Sequence, residues 1–143
     1  MAALIDTSGL IAVVDAGDAL HGPAARAWEA LLQSGEPLVS TNYLLVEAYG
    51  VLQRRFGMGL VDAVSSRYEP LLHVHWVDEG THRAGLAAFL AMNRRRVSLV
   101  DCVSFQVMRR LGLTRAFTLD PHFVEQGFEV IPEVQLGSAS PQP

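Results

Sequence analysis

The strongest constraint on this chain is the order in which short apolar runs and helix-length stretches alternate. "ALI" near the start, "LVS" from residue 38, "HVHWV", "RAFTL" and "FEVIP" are short, apolar and rich in β-branched or aromatic residues, and they read as five strands. Helical periodicity marks a short segment from about Ser8 to Ala16, then Pro23 to Gln33, "NYLLVEAYGVLQRRF", "LVDAVSSRYEPLL", which must end or kink near Pro70, "GTHRAGLAAFLAMNRR" and "SLVDCVSFQVMRRLG". A brief helical turn around "PHFVEQG" separates the last two strands. Strands interleaved with helices in this way predict an α/β sandwich on a mainly parallel sheet. In such sheets functional groups gather at the C-terminal ends of the strands.

Composition agrees with a globular chain: 143 residues, half of them hydrophobic and 18% charged. Residues 1–132 are expected to form one domain, and the Ser/Pro-rich tail 133–143 is expected to fray. Asp6 and Asp15 interrupt the first apolar stretch, and no run approaches the roughly 20 apolar residues of a spanning helix. A soluble, cytoplasmic protein with no membrane attachment is therefore expected. Cys102 is the sole cysteine, which excludes a disulfide framework and a cysteine-built zinc site. All 11 basic residues are arginine, so P-loop and Schiff-base chemistries that depend on lysine are also excluded. With a formal net charge of −4 the whole molecule is not a magnet for nucleic acid.

Four acids stand in telling places. Asp6 ends the first strand and Asp120 follows a later one, so the two share a sheet edge if those strands are parallel neighbours. Asp101 lies in the first turn of a helix expected near the same edge. Each has a local alternative. Asp6 before "TSGL" could cap a helix, Asp120 before Pro121 has the pattern of a cap, and Ser98 with Asp101 resembles a capping box. Glu47 differs, because it sits mid-helix between Tyr43, Leu44, Gly50 and Val51, on a helix apolar almost all round and expected to be central. An inward-facing glutamate there needs a partner, and the alternative to a metal is an ion pair with Arg54 or Arg55. Converging carboxylates raise one another's pKa, and a divalent cation relieves the repulsion. Hard oxygen ligands suit Mg²⁺ or Mn²⁺, which can activate water and steady the leaving oxygen of a phosphodiester.

"LIDTSGL", "TNYLLVEAYGVL", "SLVDCVSF" and "AFTLDPHF", in that order, resemble the four acidic motifs of PIN-domain nucleases, and within them the VapC toxins of bacterial toxin–antitoxin pairs. The resemblance spans roughly residues 2 to 131. It implies a PIN-like three-layer α/β/α sandwich with about five short strands, and a metal-dependent endoribonuclease acting as a toxin. Asp6, Glu47, Asp101 and Asp120 would be catalytic and hold Mg²⁺, with Mn²⁺ as an alternative. Ser8 would support Asp6, and Asn42 and Ser98 would support the quartet or position substrate. Cleavage of RNA would leave 5′-phosphate and 3′-hydroxyl ends. A homodimer and a cognate VapB-type antitoxin, whose C-terminal segment occludes the site, are implied as well.

An acidic site needs nearby positive charge to receive RNA. "NRRRV" runs into the third motif, so Arg94, Arg95 and Arg96 are expected to contact RNA or antitoxin, unless they form a solvated helix end. His122 could also touch substrate. His73 and His75 offer too few nitrogens for a metal and are expected at an exposed edge. Cys102, Trp28 and Trp76 are expected in packing. A haloacid-dehalogenase phosphatase needs a second acid where this chain has Ser8, and a receiver domain needs the absent lysine. The remaining alternative is an inert PIN scaffold that binds RNA or a protein partner.

Overall fold

A computed structural model describes residues 1–133; the tail 134–143, expected to fray, lies outside the described residues. The elements run β1 (Ala3–Ile5), α1 (Thr7–Val14), α2 (His21–Ser34), β2 (Leu38–Thr41), α3 (Asn42–Phe56), α4 (Met58–Arg67), β3 (His73–His75), α5 (Glu79–Met92), α6 (Leu99–Leu111), β4 (Arg115–Phe117), α7 (His122–Glu125) and β5 (Glu129–Ile131). The five strands form one sheet in the order β3-β2-β1-β4-β5, and every pairing is parallel. The all-apolar sequence of β1 follows from its central place, because a parallel strand covered on both faces alternates nothing.

Strand pleating sends alternate side chains into two cores. Ala3 and Ile5 pack with α1, α2 and part of α3, joined by Trp28 against Phe117 at 5.7 Å between ring centroids. Leu4 and Ala116 face the other way, towards Phe105, Met108 and Phe123. The result is the expected three-layer α/β/α sandwich. The chain runs outward from β1 through β2 to β3, then returns to the other side of β1 for β4 and β5. The strand order therefore reverses between β1 and β4, where open parallel sheets bind their ligands.

Several expectations need correction. α3 has the expected bounds but is not central: Leu44, Leu45, Ala48 and Leu52 are buried while Val46 is 74% exposed. Trp28 is packed, yet Trp76 is 73% exposed, because it follows the edge strand β3 where no layer covers it. α5 stops at Met92, since Asn93 takes the left-handed conformation that closes a helix, and Arg94–Arg96 lie in the connection to α6. As expected, α4 ends before Pro70, at Arg67, and a 3-10 turn carries the proline. Cys102 is buried as expected, and His73 is exposed on the edge strand.

α1 crosses β4 at a glycine. A Cβ on Gly9 would lie 2.5 Å from the Phe117 carbonyl oxygen, a contact that only backbone movement can relieve. Gly9→Ala is expected to lower the urea unfolding free energy by about 1–3 kcal/mol, the usual overpacking penalty. Gly59→Ala, where a Cβ meets nothing within 4 Å in helix α4, is expected to raise it by up to about 1 kcal/mol. Equal effects at the two positions would contradict the close approach of α1 to β4.

Candidate active site

Asp6 immediately follows β1, in extended backbone at the start of α1. Its side chain does not cap that helix. Instead Oδ2 accepts hydrogen bonds from Thr118 Oγ1 at 2.7 Å and Ser8 Oγ at 2.9 Å. Both hydroxyl oxygens in turn accept backbone N–H groups, Ser8 from Leu119 at 2.9 Å and Thr118 from Asp120 at 3.0 Å. A hydroxyl has one proton, and with its oxygen engaged by an amide that proton is free to aim at Asp6. The network locks the end of β1 to the turn after β4, in line with the Ile5–Phe117 register and the Asp6 N–H bond to the Phe117 carbonyl.

Asp101 and Asp120 are also anchored through one oxygen. Ser98 and Asp101 form the expected capping box at α6: Asp101 Oδ2 accepts the Ser98 N–H at 2.9 Å, and Ser98 Oγ accepts the Asp101 N–H. Asp120 Oδ1 accepts the His122 N–H at 2.9 Å at the entry to α7. In all three acids the second carboxylate oxygen has no hydrogen-bond partner among the described residues. Glu47 has no ion pair among the described residues either, so the alternative pairing with Arg54 or Arg55 is not formed.

These four carboxylates line one open cavity of about 350 Å³ at the β1/β4 switch point, together with Ser8, Ser98, Asp18, Val51 and Arg55. Only 4% of Asp6 is exposed. Burial pushes its carboxyl up to about 7, against the lowering effect of the two hydroxyls, and Asp101 and Asp120 add repulsion. Asp101 is also raised, mainly by burial and further by Asp120 and Glu47. An acidic cluster with Asp6 buried and the other acids half-buried, which no arginine neutralises by a direct ion pair among the described residues, has the donor set of a hard divalent cation: few carboxylate oxygens, with room for water. Asp101, Asp120 and His122 make the tightest group, each offering one donor atom within 4.8 Å of the others; Asp6 and Glu47 share the cavity outside that spacing.

Other residues fall elsewhere. Asn42 is not at the cavity, because its Oδ1 accepts the Val77 N–H at 2.8 Å and ties α3 to the segment after β3. Arg94 pairs with Glu125 at 2.7 Å, and Arg94 and Arg95 line a separate cavity with Phe89 and Leu90. Arg96 is exposed and not among the lining residues of the acidic cavity. The arginine at that cavity is Arg55, the end of a row formed with Glu47 and Val51 at four-residue spacing along α3. Sequence reasoning missed Thr118, Asp18 and the place of Arg55. A signal existed for Thr118, which stands two residues before Asp120 as Ser8 stands two after Asp6.

The PIN domain family model matches residues 3–129 of the chain. Two relatives from Mycobacterium tuberculosis, strains CDC 1551 and H37Rv, each named 23S rRNA-specific endonuclease VapC20, are 36% identical over 132 residues; the match covers 90% of this chain and 98% of each relative. The crystal structure of Mycobacterium tuberculosis VapC20, described as a sarcin-ricin loop cleaving toxin, superposes with a TM-score of 0.77 at 30% identity, covering 90% of this chain and 96% of that one.

Proposed function

The chain belongs to the PIN-domain family, among its VapC ribonucleases, and we propose that its cavity is a Mg²⁺- or Mn²⁺-dependent site that hydrolyses RNA phosphodiesters. One observation supports this reading: five carboxylates, Asp18 and the four motif acids, line one cavity without an arginine ion pair among the described residues, and Asp6, Asp101 and Asp120 are each anchored through one oxygen while the other stays open. Asp6, Glu47, Asp101 and Asp120 would hold the ion, which when bound supplies an activated water and charge stabilisation at the scissile phosphate.

The protein's own part is positioning. Ser8 and Thr118 hold Asp6 in one orientation, so its free oxygen needs no reorganisation on loading. The capping box does the same for Asp101 while starting α6, and Ser98 remains at the cavity wall. Arg55, exposed at the rim, supplies positive charge to the incoming backbone. Arg94–Arg96 then belong to a surface away from the chemistry, suited to acidic groups of RNA or of a VapB-type antitoxin. The groove along Asn42, Tyr43, Val46 and Val100, mostly apolar beside the active cavity, supports a homodimer as part of the same reading. Among the described residues no helix is long and apolar enough to cross a membrane.

The substrate proposed from the relatives' names is 23S rRNA at the sarcin-ricin loop. Sequencing of RNA 5′ ends after induced expression is expected to show new 5′-phosphate ends in that loop and growth arrest with it. New ends confined to tRNA or mRNA would overturn the substrate assignment while leaving the nuclease reading intact. Arg55→Ala is expected to raise KM for RNA about tenfold, with kcat changed far less, and to lower the salt dependence of log binding affinity by about 0.7, the share of one single-strand phosphate contact. A salt dependence unchanged in that variant would remove Arg55 from the substrate path.

A further inference from the structure

His122 joins the acidic cluster from the first turn of α7. Its Nδ1 is sealed from solvent and makes no hydrogen bond among the described residues. It lies 2.7 Å from Asp120 Oδ1, yet the ring nitrogen is not directed at that oxygen, which already accepts the His122 backbone N–H. A buried ring nitrogen without a partner loses the hydration it had in the unfolded chain, so it calls for another occupant. A ring nitrogen of His122 falls within 4.8 Å of donor oxygens on both Asp101 and Asp120, and Nδ1 is the one in contact with Asp120.

We infer that His122 Nδ1 joins Asp101 and Asp120 as a nitrogen ligand of the divalent ion, and that this ligand makes the site favour Mn²⁺ over Mg²⁺. The inference rests on the proposal that the carboxylate cavity holds a metal. Its physical basis is the donor type: a neutral imidazole is a poor partner for Mg²⁺ and a better one for first-row transition ions, whereas carboxylates serve both. His122 is placed for this by its own backbone. The N–H bond to Asp120 begins α7, and buried Phe123 next to it packs edge-on against Phe105 at 4.9 Å, holding the turn. Asp120 would thereby position a ligand as well as serve as one.

The test uses the full, untagged chain stripped with chelator and loaded with one equivalent of Mn²⁺. Electron spin echo envelope modulation is expected to show ¹⁴N coupling of a bound imidazole, and His122→Gln is expected to abolish it. In the same variant the Mn²⁺ dissociation constant should rise about tenfold while that for Mg²⁺ changes less than about twofold. Bound Mn²⁺ without ¹⁴N coupling in the wild-type protein would overturn the ligand assignment and leave the carboxylate site standing. Coupling that survives in the variant would do the same. Failure of the wild-type protein to bind Mn²⁺ or Mg²⁺ at all would overturn both the inference and the metal reading beneath it. The wild-type spectrum decides the question even if the variant folds poorly.

Discussion

Asp6→Asn is expected to yield a protein that no longer cleaves RNA but unfolds at a higher temperature than wild type when divalent ions are removed. The two effects have one cause. Asp6 is buried beside Asp101 and Asp120, and its carboxyl is raised from 3.8 to about 7. At about 1.4 kcal/mol per pH unit, that displacement corresponds to a penalty on the order of 4 kcal/mol for carrying the charge in the metal-free fold at pH 8. An asparagine removes the charge, and its carbonyl can still accept the hydroxyls of Ser8 and Thr118. A gain of about 1–4 kcal/mol at pH 8 is expected, measured by urea unfolding in EDTA. Cleavage should fall by at least about 100-fold, because an amide is a poor ligand for a hard cation. Asp62→Asn, at an exposed position of α4, should change neither quantity. A less stable Asp6→Asn protein in EDTA would contradict the view that Asp6 is held at a cost to the fold.

The same physics makes metal stabilisation depend on pH. A carboxyl whose folded pKa lies above its unfolded value binds more protons in the native state between the two. Metal-free stability from this group is therefore fully present below about pH 4, declines as pH rises towards 7, and is lost above it. Asp101, raised in the same direction by burial, adds to the slope. Surface carboxyls act oppositely: Asp78 is held low by the Thr81 N–H and Glu125 by Arg94, so their contribution disappears only in acid. A divalent ion held by the ionised cluster would bind more tightly as the protons leave. Thermal scans should thus show a Tm increase on adding Mg²⁺ or Mn²⁺ that is several degrees larger at pH 8 than at pH 6. A metal-induced shift that shrinks between those values would have the wrong sign for a carboxylate site.

How much of this was legible in the sequence depends on the range of the interaction involved. "NYLLVEAYGVLQRRF" predicts α3 with its observed bounds, because Thr41 caps it through the Leu44 N–H and Gly57 ends it, and both signals are local. β4 stops at Phe117, short of the expected "RAFTL": the Thr118 N–H still bonds the Ile131 carbonyl, but the next two N–H groups, of Leu119 and Asp120, go to the hydroxyls of Ser8 and Thr118 instead of a strand. Strand propensity contains no trace of that tertiary competition. The convergence of Asp6 with Asp120 followed from assuming that their strands pair in parallel, which they do. The capping alternative for Asp6 looked equally good from "DTSG" alone. It fails because a hydroxyl 112 residues away takes the carboxylate instead. The arginines show the opposite limit. "NRRRV" adjoins Asp101 in sequence, but a left-handed Asn93 and the Arg94–Glu125 pair turn the run aside, while Arg55 reaches the cavity along a helix face set by the burial of Leu44, Leu45, Ala48 and Leu52. Charge runs are visible in one dimension, and the face they present is not.

These carboxylates are proposed to act through a divalent ion to hydrolyse RNA. The most direct test is cleavage of a sarcin-ricin stem-loop by the purified chain in excess EDTA, followed by restoration with Mn²⁺ or Mg²⁺, with Asp101→Asn run alongside. The expected result is no cleavage under chelation, recovery on adding either ion with 5′-phosphate products, and no recovery in the variant. Cleavage that continues undiminished in EDTA would contradict the account.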